Sequence, residues 1–372
     1  MRIKWRPLAL VVWGILFVSI AVAVFGLKAF GSLGFNSFFH GVRETPYLWL
    51  SLLQSVGQVL LLLGSLFVAH SWRLVSKRVS FIDFTLMVWP SLCGLWLTLK
   101  RLTLSSSGVD GLMVSEPLVV SVLFSISLTG CGLLLTRVLG FNKSDEENPF
   151  KRFLIANLLG IVVVSMILFF MALLGFWEPV HLWFLLGAFL ILALIGLFPE
   201  RASSVSGETP PSKEVRSWLR DPSFYAWGLV LVLLFGVFQL GWLPPDDSDE
   251  LRYHLTLPKR YLEAGQFMVL PDQLFSFFPT GMEMLMGLPL SLDWLRPEDL
   301  RQGLIGGGKF IHAYMAYLCV MLLVVWHRDL GDSEESPSLD SLPPLLFLSI
   351  PFVPILASWA FVDFGSALGW LG

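Results

Sequence analysis

Residues 153–176, FLIANLLGIVVVSMILFFMALLGF, contain no Asp, Glu, Lys or Arg. About 20 apolar residues suffice for a helix to cross the ~30 Å hydrocarbon core of a bilayer, so this stretch reads as a membrane span. Nine further apolar segments share its character, at 8–27, 47–69, 81–99, 117–136, 179–198, 224–243, 279–292, 310–326 and 343–362. The eighth in chain order, 279–292, is short and carries Pro289 near its end, which leaves a short span and a buried re-entrant piece both open. Composition points the same way. The 372 residues are 55% hydrophobic and 14% charged, with a mean hydropathy of +0.72, against about 25% charged in soluble domains. The expected fold class is all-α, a polytopic membrane protein with about ten transmembrane helices.

Orientation follows from where Lys and Arg fall, since short cytoplasmic loops are enriched in them. The N-terminus (Arg2, Lys4, Arg6) also fits a secretory signal with Ala21-Val22-Ala23 at the cleavage point. The long apolar run and the spans that follow favour an uncleaved first span. With the N-terminus inside, the first four inner segments hold fourteen basic residues, among them Arg73, Lys77, Arg78, Arg137, Lys143, Lys151 and Arg152. The first three outer loops hold four: Lys28, Arg43, Lys100 and Arg101. A cytoplasmic N-terminus is therefore expected, in a multi-pass protein of the plasma (inner) membrane. The seventh span then delivers the loop after it to the outer face.

The segment 199–222, rich in Ser, Gly and Pro, reads as a cytoplasmic linker. It separates a six-span region, 1–198, from a second membrane unit, 223–372. In the first region Gln54 and Gln58 lie one turn apart beside Ser51 and Ser55; helix packing accounts for them better than a transport path. Asp83, near Lys77 and Arg78, reads as an interfacial ion pair. Cys93, Cys131 and Cys319 lie in apolar stretches, without a disulfide framework or metal-ligand spacing.

Chemistry concentrates in the loop 244–278. Asp246, Asp247, Asp249 and Glu250 crowd into five positions directly after an apolar stretch. Charge beside a bilayer is costly unless it sits at the surface or works there. On the plain reading Ser248 caps a helix starting at Asp249, and Asp249 and Glu250 stabilise the positive end of its dipole. Leu251 and Leu255 turn one face to the membrane. Pro258 opens a second short helix that Gly265 ends, and Arg252, Lys259 and Arg260 meet lipid headgroups. The sharper reading adds a carboxylate as general base, cations holding the phosphate of a lipid-linked donor, and Tyr253, Tyr261 and Phe267 as walls of a sugar pocket.

Three stretches, DELRYHLTLPKRYLEAG (249–265), QLFSFFPTGMEMLMG (273–287) and ASWAFVDFGSALG (357–369), resemble the opening of a C-type-fold membrane glycosyltransferase. The relatives in view are protein mannosyltransferases and undecaprenyl-phosphate aminoarabinose transferases. The likeness covers the chain from about Phe224 onward and not the six spans before it. It implies transfer of a sugar from a polyprenyl-phosphate donor to an acceptor of unknown identity at the outer face, inverting the anomeric carbon. Asp249 is then the catalytic base and Glu250 its neighbour. Arg252, Tyr253, Lys259, Arg260, Glu283 and Asp363 are the candidate substrate-binding residues. For Glu283 pocket lining and helix-end charge stand equal; for Asp363 a helix-start role is favoured, and for His254 an interfacial one. No metal ligands are assigned and no cofactor is certain, a divalent cation being left open. Membrane lipid is the expected surrounding partner, and no nucleic acid is expected. The chain stops at GWLG without a polar flank, so only the N-terminal part of such a module is expected here. The rival is non-enzymatic: a membrane scaffold or partner subunit whose acidic loop docks another protein. A transporter is weaker still, because ionisable residues within the spans are few.

Overall fold

The computed structural model describes residues 81–104, 111–139, 148–197, 222–242, 245, 248–277, 281–291, 307–330, 340–358 and 363–371. All regular structure among them is helical. In chain order the α-helices are α1 (Phe81–Leu104), α2 (Gly111–Val138), α3 (Pro149–Leu173), α4 (Pro179–Leu197), α5 (Pro222–Gly241), α6 (Thr256–Ala264), α7 (Gly281–Leu290), α8 (Gly307–Leu330), α9 (Leu342–Ser349), α10 (Phe352–Ser358) and α11 (Asp363–Leu371). A widened π-type turn, Glu250–His254, precedes α6, and a 3-10 turn, Leu274–Phe277, follows it. The segments 8–27 and 47–69, the Gln54–Gln58 stripe, and the linker up to 221 lie outside the described residues, as do Lys77 and Arg78. Asp83 itself is buried in the first turn of α1.

Among the described residues, three helical stretches are long and apolar enough to cross a membrane: Val119–Val138 within α2, Pro149–Leu173 and Gly307–Leu330. Two of the expected spans take another form. Segment 343–362 is broken into α9 and α10. Pro351 has no N–H to donate and forces its predecessor out of the helical region, and Ile350 is accordingly extended at φ −69°, ψ 113°. Segment 279–292 yields α7, ten residues long. At 1.5 Å per residue that is about 15 Å, half the thickness a span must cover. Every residue of α7 from Glu283 to Leu290 is buried.

By packing, the described residues fall into two compact units. The smaller draws on 222–236, 323–330 and 340–356. In it Arg328 near the end of α8 grips Asp340, Nε to Oδ2 2.7 Å, and the buried Ser341 precedes α9. The larger holds the rest, and in it α2 packs on α1, α3 and α4.

The stretch 153–176 shows how this larger unit is built. Asn148, extended at φ −122°, accepts hydrogen bonds from the N–H groups of Phe150 and Lys151, and Pro149 occupies the first turn. Gly175 takes φ +82° to turn the chain at the far end, a left-handed conformation that glycine adopts freely. The lone amide of the run, Asn157, is buried and ties three helices. The Tyr314 hydroxyl of α8 donates to its Oδ1 (2.6 Å), while its Nδ2 donates to Thr129 Oγ1 of α2 (3.1 Å) and to the Phe153 carbonyl (2.8 Å). Tyr317 of α8 donates to the Leu86 carbonyl of α1 (2.6 Å). Around Phe310 of α8 gather Phe124, Phe238, Trp242 and Tyr314. Asn157→Leu is expected to cost about 1–3 kcal/mol by stranding buried hydroxyls. Thermal denaturation in detergent checks this, and adding Tyr314→Phe should recover part of the loss.

Candidate functional site

Asp246 and Asp247 lie outside the described residues. From Ser248 the chain is already helical, so Ser248 is not the extended cap expected of it. Asp249 follows at φ −79°, ψ −35° and is half-buried. The turn then widens: the Leu255 N–H donates to the Glu250 carbonyl, five residues back, at 3.1 Å. In an α-helix five residues place side chains well apart around the axis. In the wider turn position 255 comes round beneath 250. Glu250, His254 and Leu255 therefore all face inward and are buried, whereas Leu251 is exposed. This replaces the expected Leu251–Leu255 apolar face.

The inward side meets α7 and the start of α8. Lys309 Nζ lies 3.4 Å from Glu250 Oε1, with the side chains 2% and 0% exposed. One residue earlier, Gly308 offers no side chain; a Cβ there would sit 2.5 Å from Leu255 Cδ2. Consecutive residues at the start of α8 thus receive the two ends of the widened turn. Burying two charges is costly unless each compensates the other. The positive end of the α8 dipole further favours the carboxylate there.

The second buried pair joins the turn to α7. His254 Nδ1 lies 3.2 Å from Glu283 Oε1. His254 is therefore enclosed by protein and does not face the surface of the loop. Its ring is also packed against Tyr253, centroids 4.0 Å apart. Glu283 sits in the first turn of α7 and is buried, so it is both a helix-end acid and an interior one.

The far end of the loop is fastened to α3. Gly265 ends α6 at φ +70°, as expected of it, and its carbonyl accepts from the Trp177 N–H at 2.9 Å. Trp177 Nε1 donates to the Pro258 carbonyl (3.3 Å), and the Phe267 N–H donates to the Ala172 carbonyl (2.8 Å). Phe267 meets Phe169 edge-on and Tyr261 at a tilt. Tyr261 is fully buried, and its phenol is pushed up to about 12, first by burial and then by the Glu283 charge, so it stays neutral. Tyr261 and Phe267 thus anchor the loop, and Tyr261, fully buried, is not a wall of an open pocket. Tyr253 is half-buried.

The cations lie on the outer side. Arg252 is exposed, Lys259 reaches Glu263 one turn on (3.9 Å), and Arg260 Nη1 meets Asp272 Oδ2 at 2.6 Å. The hydrogen bond from Arg260 holds the Asp272 carboxyl below its ordinary range. Such a lowered acid favours the folded loop at neutral pH and ceases to do so only as pH falls through its own pKa. Asp363 is exposed and opens α11. The next residue, Phe364, donates its N–H to His312 Nε2 of α8 (3.2 Å), and Gly365 abuts Met282 of α7.

Among the described residues no three His, Cys, Asp or Glu side chains converge as a metal site. Glu250 faces Lys309 and Glu283 faces His254, so these donors do not form a divalent-cation cage. Lys309, the residue on which the arrangement turns, is absent from the sequence-derived candidates. Its signal was a lone cation directly after the glycines 306–308 and before an apolar run. Comparison with family models, with curated proteins and with solved structures found no match.

Proposed function

We propose that the chain transfers a sugar from a polyprenyl-phosphate-linked donor to an acceptor at the outer face of the plasma membrane, with Asp249 as general base. The observation that carries this reading is the unlike fate of two adjacent carboxylates. Glu250 is buried against Lys309, while Asp249 beside it keeps access to solvent. A base must reach the proton it removes, and the half-buried Asp249 has an access to solvent that the enclosed Glu250 lacks.

The step balances simply. The Asp249 carboxylate takes the proton of an acceptor O–H or N–H, the acceptor heteroatom attacks the anomeric carbon, and the bond from that carbon to the phosphate oxygen breaks. Polyprenyl phosphate leaves with the bonding electrons, and the anomeric centre is inverted. Arg252, Lys259 and Arg260 supply cations for the phosphate. The two that have carboxylate partners hold them at the surface, where ion pairs are worth about 0–1 kcal/mol, so exchange for a donor phosphate costs little. Chain alternation puts the loop at 174–178 and the acidic loop on the same side, and the Trp177–Gly265 and Phe267–Ala172 hydrogen bonds that join them support that placement.

The test is release of polyprenyl phosphate from polyprenyl-phosphate mannose and undecaprenyl-phosphate aminoarabinose, added to membranes containing the chain. Release above that of membranes lacking it is expected with at least one donor. No release from either sinks the reading in favour of a non-catalytic scaffold.

A further inference from the structure

We infer that Lys309 is a positioning residue for Asp249, acting through Glu250 and the widened turn. This rests on the reading of Asp249 as the base. Asp249 directly precedes the turn, so its direction is set by how the turn is held. Two neighbouring points on α8 hold it: the Lys309 ammonium on the Glu250 carboxylate at 3.4 Å, and the bare Gly308 backbone beneath Leu255. The Leu255 N–H to Glu250 carbonyl bond closes the turn between the same two residues. Three contacts therefore converge on one five-residue turn whose outer flank is the exposed end of the site. The pair is itself enclosed, at 0% and 2% exposure, and so does not reach a donor or acceptor.

A hold of this kind acts on the reaction by geometry. Displacement of a catalytic group by about 1 Å costs on the order of 10²-fold in rate. Removing one partner of a buried ion pair leaves the other uncompensated, so the Glu250 carboxylate would be driven toward water and carry the turn with it. Neutralising both partners removes that force.

The experiment uses the full chain in membranes, with polyprenyl phosphate release as the rate and amide hydrogen exchange of the peptide spanning 249–257 as the structural readout. Lys309→Met should lower kcat by about 10–10²-fold with the donor KM within about twofold, and should speed exchange in that peptide. Gly308→Val, which leaves every charge in place, should do the same by pushing Leu255 outward. Glu250→Gln combined with Lys309→Met should regain most of the lost kcat and exchange protection. Unchanged exchange at 249–257 in Lys309→Met overturns the inference, as does a double variant no better than the single one. These outcomes are separate from the fate of the transferase reading, which falls if the unaltered chain releases no polyprenyl phosphate.

Discussion

Asp249→Asn is expected to lower sugar transfer by about 10²–10⁴-fold, the range contributed by a positioned proton acceptor, while leaving the protein folded. Asparagine matches aspartate in shape and keeps one oxygen, but its amide does not accept the acceptor proton at neutral pH. Asp249 is half-buried, and Asn is isosteric with it, so its replacement leaves the buried Glu250–Lys309 and His254–Glu283 pairs in place. Thermal denaturation should therefore move little, in keeping with about 0.5 kcal/mol for substitutions away from core features. Asp249→Glu sharpens the distinction from a scaffold. Its charge is retained but its oxygens move outward by a methylene, which a base positioned for attack does not tolerate and a docking surface does. Transfer by Asp249→Glu should fall by about tenfold or more. Full activity of Asp249→Asn removes the assignment.

Gly132→Val is expected to be the most damaging single change to the fold. A Cβ built on Gly132 of α2 collides with the Ala156 backbone carbonyl of α3, and one on Gly160 of α3 collides with that of Leu128 in α2. The contacts are reciprocal and each is one helical turn from the other, as expected where small residues let membrane helices cross closely. Backbone carbonyls have no rotamer through which to yield. The helices must separate, opening the interface that also carries the Asn157–Thr129 bond. A loss of about 3 kcal/mol or more is expected, the upper end of overpacking. The measure is the fraction of monodisperse protein surviving a heat step in detergent. Gly187→Val is the control, since nothing lies within 4 Å of a Cβ at that position of α4. Equal survival of the two variants would refute the close crossing.

The legible part of this protein was what a linear pattern encodes. Apolar runs announced helices, and Gly265 marked the end of α6. Pro351 was visible too, but its effect depends on the conformation of Ile350, which hydropathy does not register. The acidic loop was found by its charges, yet charge alone did not tell Asp249 from Glu250. That difference is made by Lys309 and Gly308, which the chain brings in from a later helix. The same holds for His254: its neighbours in sequence suggested an interface, and Glu283, arriving on α7, takes it inside. Tyr261 and Phe267 read as pocket walls in sequence because Phe169 of α3, on which Phe267 packs, lies far back in the chain. Local chemistry thus identified the region, and long-range pairing assigned the parts within it.

The hydrogen bonds from Trp177 and Phe267 have a bearing on which parts of the chain can be separated. The likeness to a transferase reaches back to about Phe224, but the acidic loop is stitched to Ala172 and Trp177, residues that precede it in the chain. Five backbone groups and one indole are committed across that seam, so a fragment cut to begin at Phe224 would leave the Phe267 N–H and the Gly265 and Pro258 carbonyls without these partners, and the acidic loop without its footing.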